Sequence, residues 1–201
     1  SDPASAKQDR ELGLTREPLD ELSWIARGVA RLGGDPQGAV ADFERALESN
    51  PRSRAALENK AHVLSERVGK TAEAIEVLNA AVEFHPDYIP ARAGRGVLLA
   101  RLGDRAAAHA DAVETLARDS RPGTLYQIAG IYALTSRDQP ADRARALQLL
   151  AAAIRQEPRW IGVVPKDPDL DPIRDDADFR RLMQSLADIN AVGDPLRSSP
   201  K

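Results

Sequence analysis

The strongest constraint on this chain is a short phrase that returns at intervals: a small residue, four more residues, then proline. It occurs as ALESNP (46–51), AVEFHP (81–86) and AIRQEP (153–158), with a degenerate copy, TLARDS, at 115–120. Seven residues before each copy stands another alanine. These are Ala39, Ala74, Ala108 and Ala146, spaced by 35, 34 and 38 residues. A period near 34 that ends in proline marks helix–turn–helix units, which stack because one unit cannot bury its apolar face alone. Ten residues after Pro51 and Pro86 come Ala61 and Gly96, and Gly28 and Ala129 hold the same place in the first and fourth copies. From these residues to the paired alanines the gaps are 11, 13, 12 and 17. The turns therefore vary in length while the small-residue contacts keep register.

Over roughly residues 20 to 160 this pattern resembles the tetratricopeptide repeat. The resemblance implies an all-α fold, a right-handed superhelical solenoid of about four repeats. In each repeat the small residue of the first (A) helix packs closely on that of the second (B) helix: Gly28 on Ala39, Ala61 on Ala74, Gly96 on Ala108, Ala129 on Ala146. Trp24 and Tyr132 take bulky and aromatic family positions. Thr115 and Ser120 depart from the pattern in the third repeat. The family's inner surface is lined by A helices, and the matching positions here are Glu58, Asn59, His62, Ser65, Glu66, Val97, Arg101 and Tyr126. Some members clamp a terminal carboxylate there with lysine, arginine and asparagine. Only Asn59 matches, and Glu58 and Glu66 would repel an anion, so the implied ligand is a protein segment, a peptide or helix in a mixed groove.

The chain's ending carries a narrower resemblance. DPDLDPIRDD (167–176), with ARAGRGVLLARLGD (91–104) and IYALTS (131–136) before it, is similar to the C-terminal region of large planctomycete-type bacterial serine/threonine kinases. No Gly-rich loop, HRD or DFG stands in this sequence, so catalysis is expected outside it.

Along the chain, residues 1–18 read as a polar tail or boundary. The array is expected over 19–160, in units of about 19–52, 53–87, 88–120 and 121–158. On the first helix Leu22, Ile25 and Val29 form an apolar stripe with Trp24 beside it. Asp35-Pro36 starts the next helix, since Asp caps well and Pro suits the first helical position. Thr71 is placed to cap the fourth helix. The segment Thr135 to Ala141 reads as a long polar turn. Residues 161–189 hold a Pro/Asp-rich connector, which cannot be one long helix. A final helix follows, capped by Asp175 or Asp176, with Phe179, Leu182, Met183 and Leu186 inward. It closes the open apolar flank of the array. Residues 190–201 are expected to be a disordered tail.

The chemistry the sequence lacks narrows the function. It has no cysteine, so neither disulfides nor thiolate chemistry is open to it. Its net charge is −3 with scattered basic residues, which argues against nucleic acid. No apolar run is long enough for a membrane span, and a cytoplasmic location is expected. His62, His85 and His109 have no metal spacing. Asp167, Asp169 and Asp171 alternate as in a calcium loop, but Pro172 and Asp178 stand where Gly and Glu are needed. Gly94-Arg95-Gly96 falls inside a helix and follows no strand. The expectation is a non-catalytic interaction scaffold with no cofactor and no metal. The alternative is a self-assembly module that mediates homo-oligomerisation.

Overall fold

The computed structural model describes residues 17–192, with side chains to residue 189. The expected tails at 1–18 and 190–201 lie mostly outside it, and residues 190–192 belong to the last helix. All described secondary structure is helical. The chain forms two compact units, residues 1–91 and 92–201.

The first unit contains two helix pairs: α1 (Glu21–Arg31) with α2 (Pro36–Ser49), and α3 (Arg54–Val63) with α4 (Thr71–Phe84). Short polar residues set the helix starts. Asp20, Asp35 and Ser53 accept hydrogen bonds from Ser23, Gly38 and Ala56 backbone N–H groups at 2.8, 2.9 and 3.3 Å. Each satisfies a donor that a helix start leaves without a carbonyl. Thr71 is the first helical residue of α4 rather than its cap. Lys70 holds the cap position without a side-chain bond. After α3 the chain widens into a π turn, Leu64–Val68, and leaves it through Gly69 at φ 75°, a conformation that costs glycine little.

Packing in α1 differs from the apolar stripe read in the sequence. Leu22 is 76% exposed and Val29 45%, while Trp24 and Gly28 are buried. The helix turns its aromatic and its glycine inward. Trp24 packs with Ala46 and Ala56, and Phe43 fills the space among Ala39 and Val63. A side chain at Gly28 would put its Cβ 2.6 Å from Phe43 Cε1, so this contact excludes a Cβ.

The second unit opens within α5 (Ile89–Arg101), followed by α6 (Arg105–Leu116), α7 (Pro122–Leu134) and α8 (Pro140–Gln156). Gly103 at φ 83° ends α5, and Asp104 caps α6 through Ala107 N–H at 3.1 Å. Pro140 is the first residue of α8, so the helix claims the end of the expected polar turn. A Cβ at Gly96 would lie 2.8 Å from Ile131 Cδ1 and 3.2 Å from Asp111 Cβ. α7 and α8 bury Ile128, Ile131, Leu150 and Ile154 almost completely.

Beyond Pro158 the chain makes three 3₁₀ turns, Pro158–Gly162, Val164–Lys166 and Pro168–Leu170. Then come the short α9 (Asp171–Arg174) and the closing α10 (Ala177–Val192). Proline at or next to the start of each turn, and at the second residue of α9, prevents a continuous helix. Val164, Leu170 and Ile173 are each at most 1% exposed. The connector thus packs on the fourth repeat. Asp176 caps α10 through Asp178 and Phe179 N–H groups at 2.8 and 3.3 Å. Phe179 and Leu186 are buried, with Leu182 and Met183 packed beside them.

Candidate functional site

The candidate site is built on the outward face of the A helices. In α3, Ala56, Leu57, Ala61 and Leu64 are buried, which turns Glu58, His62 and Glu66 into solvent. Asn59 spends its amide on Ala55 C=O of its own helix at 2.8 Å. Ser65 Oγ lies 3.2 Å from His62 C=O and 3.3 Å from Glu66 Oε1. Tyr88 donates its hydroxyl to Glu58 Oε2 at 2.5 Å, and the Arg54 guanidinium lies 4.8 Å from the Tyr88 ring centroid. Burial and the bond to Glu58 push the Tyr88 hydroxyl up to about 12, so it stays a donor.

In the second unit the expected inner face is already occupied. Arg101 donates from Nε and Nη2 to the two carboxylate oxygens of Asp169, at 2.8 and 3.1 Å. Tyr126 donates to Asp167 Oδ2 at 2.8 Å, and its ring stacks on Trp160 with centroids 4.5 Å apart. Burial and the Asp167 bond hold the Tyr126 hydroxyl far above its usual range. Val97 is buried. Arg174 fastens the seated connector by donating to Val164, Pro165 and Asp167 carbonyls at 3.2, 3.0 and 2.8 Å. The expectation of a solvent-facing groove at Arg101 and Tyr126 is therefore corrected. Both residues hold the chain's own connector, whose irregular backbone gave no periodicity from which to place it. Of the six expected groove residues, Glu58, Asn59, His62 and Glu66 stand in the first unit, on α3 and the turn that continues it.

The eight small residues read as packing contacts, Gly28, Ala39, Ala61, Ala74, Gly96, Ala108, Ala129 and Ala146, are all removed from solvent or hold a close interhelical contact. Sequence reasoning missed the ion pairs beside them. Arg27 donates from Nη2 to buried Asp42 at 2.7 Å, and Arg31 Nη1 approaches the same carboxylate at 3.0 Å. In the third repeat Arg95 donates to buried Asp111 at 2.8 and 2.7 Å. The signal was present as a repeated pairing: Arg27-Gly28 with Ala41-Asp42, and Arg95-Gly96 with Ala110-Asp111. A third buried carboxylate, Asp142, accepts from Arg105 at 2.7 Å twice and from Thr135 at 2.8 Å. His109 lies 3.4 Å from that carboxylate and packs its ring on Tyr132, and burial presses it below its usual value. Among the described residues no group of three His, Cys, Asp or Glu is placed to hold a metal, and no helix is long and apolar enough to cross a membrane.

Comparison with known proteins agrees with this geometry. The family model described as Tetratricopeptide repeat matches residues 30–93. A tetratricopeptide repeat protein from Parabacteroides merdae is 20% identical with a TM-score of 0.66, over 98% of this chain and 74% of that one. A thermophilic TPR protein of Thermus thermophilus is 22% identical with a TM-score of 0.60, over 89% and 87% of the two chains. MamA from Desulfovibrio magneticus is 13% identical with a TM-score of 0.62, over 89% and 97%. A search of curated proteins finds no match. The chain has the fold of the tetratricopeptide-repeat proteins.

Proposed function

We propose that the chain is a non-catalytic interaction scaffold that takes a peptide or helix of a protein partner on the exposed A-helix face of α3. One observation carries the reading. The corresponding face of α7 seats an irregular segment of the chain itself, through Tyr126 and Trp160, whereas Glu58, His62 and Glu66 on the α3 face stay exposed. Proteins of this fold generally mediate protein–protein interactions. The similarity of 91–104, 131–136 and 167–176 to planctomycete-type kinase C-terminal regions supports the finer reading, an accessory region of a bacterial serine/threonine kinase acting in the cytoplasm.

A photo-crosslinking amino acid at His62, with a control at Glu76 on α4, tests the site in source cells. One discrete protein adduct at position 62 and none at 76 supports the reading. Equal adducts at both positions would overturn it. An immunoblot of the same cells addresses the kinase: a band no larger than this chain removes it.

A second reading is favoured by α1. Its outward residues Leu22, Ala26, Val29 and Ala30 are uncharged, while Arg27 and Arg31 turn to Asp42. Such a face suits homo-oligomerisation through α1 of a second copy. Sedimentation showing a stable dimer that Leu22→Glu dissociates would establish it, and a monomer at every concentration would remove it.

A further inference from the structure

We infer that copies of this chain associate head to tail, the outer face of α4 on one copy against the outer face of α8 on the next. The inference goes beyond both readings above, since it uses neither the α3 face nor the α1 face. It follows from comparing the B helices at matched positions, counted from the packed alanine of each. At −1, +2 and +9 from Ala74, α4 carries Glu73, Glu76 and Glu83. At the same places from Ala146, α8 carries Arg145, Gln148 and Arg155. All six are exposed. On α6 these places hold Ala107, Ala110 and Ala117, so the repeat itself does not demand charge there.

Each face has one sign. Between Thr71 and Phe84, α4 has no lysine or arginine. The one acidic residue of α8, Asp142, is buried and held by Arg105. The charges are also unspent. Glu73 pairs with Lys70 at 2.8 Å, but among the described residues Glu76, Glu83 and Arg155 make no hydrogen bond or ion pair. Arg145 approaches the neutral Gln148 Oε1 at 3.4 Å. A face of one sign repels its like on a second copy and attracts its opposite, which disfavours α4–α4 and α8–α8 pairing and favours α4–α8. Glu76 and Glu83 stand about 10 Å apart along α4, and Arg145 and Arg155 about 15 Å apart along α8. Two long arginine side chains take up that difference. Because the two faces differ, the contact leaves an unused α4 face at one end and an unused α8 face at the other. Copies therefore add beyond two unless a ring closes. The charges are exposed, so the contact is weak and salt-dependent.

The test is sedimentation velocity of the whole chain against concentration, at low salt and at about 0.5 M salt, where exposed charges are largely screened. Wild type grows to larger species with concentration at low salt and returns toward monomer at high salt. E76K/E83K and R145E/R155E each weaken self-association about tenfold. Mixed in equal amounts they associate again, because each offers the sign the other lacks. Circular dichroism checks folding, and E76Q/E83Q, a milder change, gives a smaller loss. In source cells a self-adduct at Glu76 weighs twice this chain, which separates it from another protein captured there. A monomer at every concentration, association indifferent to salt, or a mixture that does not recover would overturn the pairing. Association that survives both reversals but is lost on Leu22→Glu would overturn it too, and would leave the α1 contact standing.

Discussion

Replacing Gly28 by alanine sets two effects of known size against each other. In a solvated helix interior the change gains about 1 kcal/mol, because glycine loses more backbone freedom than alanine on folding. The structure places a different demand on this glycine. The new Cβ would lie 2.6, 2.9 and 3.0 Å from Cε1, Cζ and Cδ1 of Phe43. That ring is 0% exposed and held among Ala39 and Val63. A rigid ring meeting three short contacts has nowhere to retreat without spreading α1 from α2, and overpacking of this kind costs about 1–3 kcal/mol. The net is a loss of about 1 kcal/mol, which in a domain of roughly 60–100 residues lowers Tm by about 4–8 °C. Thermal unfolding followed by circular dichroism reads it. Phe43→Leu relieves the contact, so the double variant loses less than the sum of the two single changes. A rise in Tm for Gly28→Ala alone would refute the close contact. Gly96→Ala provides the contrast. Its shortest contact is with Cδ1 of Ile131, the end of a flexible side chain, so the change stays within about 1 kcal/mol of wild type.

Asp111→Ala leaves Arg95 without its buried carboxylate and costs about 3 kcal/mol, read as a lower urea midpoint with unchanged slope. Stability falls in two limbs on acidification. Burial holds His109 below its usual value with Arg105, Asp142, Thr135 and Tyr132 around it. Its contribution is therefore complete above about pH 6.5 and is lost as pH falls from there through its lower folded-state value, and His109→Gln should remove this limb from urea midpoints measured against pH. Below about pH 4 the second limb follows as depressed carboxylates take up protons: Asp119 beside Arg121, Asp142 where Arg105 and Thr135 outweigh burial, and Asp176 at its helix cap. Tyr126→Phe removes the hydroxyl bond to Asp167 at a cost of about 1 kcal/mol. Trypsin should then cut the connector faster at Arg159 and Lys166, and unchanged cleavage would show that the hydroxyl does not hold it.

The repeating alanines, glycines and prolines made the helix pairs readable, because close helix packing needs small residues at fixed intervals and chain reversal needs breakers between them. Asp35 was equally readable, since a short acidic side chain serves the unpaired N–H groups of a helix start. The first helix was misread on Leu22 and Val29 for a physical reason. Periodicity finds an apolar stripe, but the face α1 buries is set by what it meets, Trp24 against Ala46 and Ala56 and Gly28 against Phe43. The Arg–Asp pairs escaped because charged residues are counted as surface until a partner 15 or 16 residues away is found. The seated connector escaped because 3₁₀ turns leave no regular pattern, so nothing local placed Asp167 against Tyr126 or Asp169 against Arg101.

The π turn at Leu64–Val68 has a consequence for how this sequence can change. From Ala61 to Ala74 is thirteen residues, from Gly96 to Ala108 twelve, and from Ala129 to Ala146 seventeen. The paired small residues nevertheless stay packed. Extra backbone is taken up in the bend, as a wider coil or a longer loop, and the stacking surface does not register it. The bends are therefore permissive sites. A short epitope or fluorophore-binding tag placed between Arg137 and Gln139 should be carried without loss of folding, while a single residue added inside α7 would turn its whole buried face out of register.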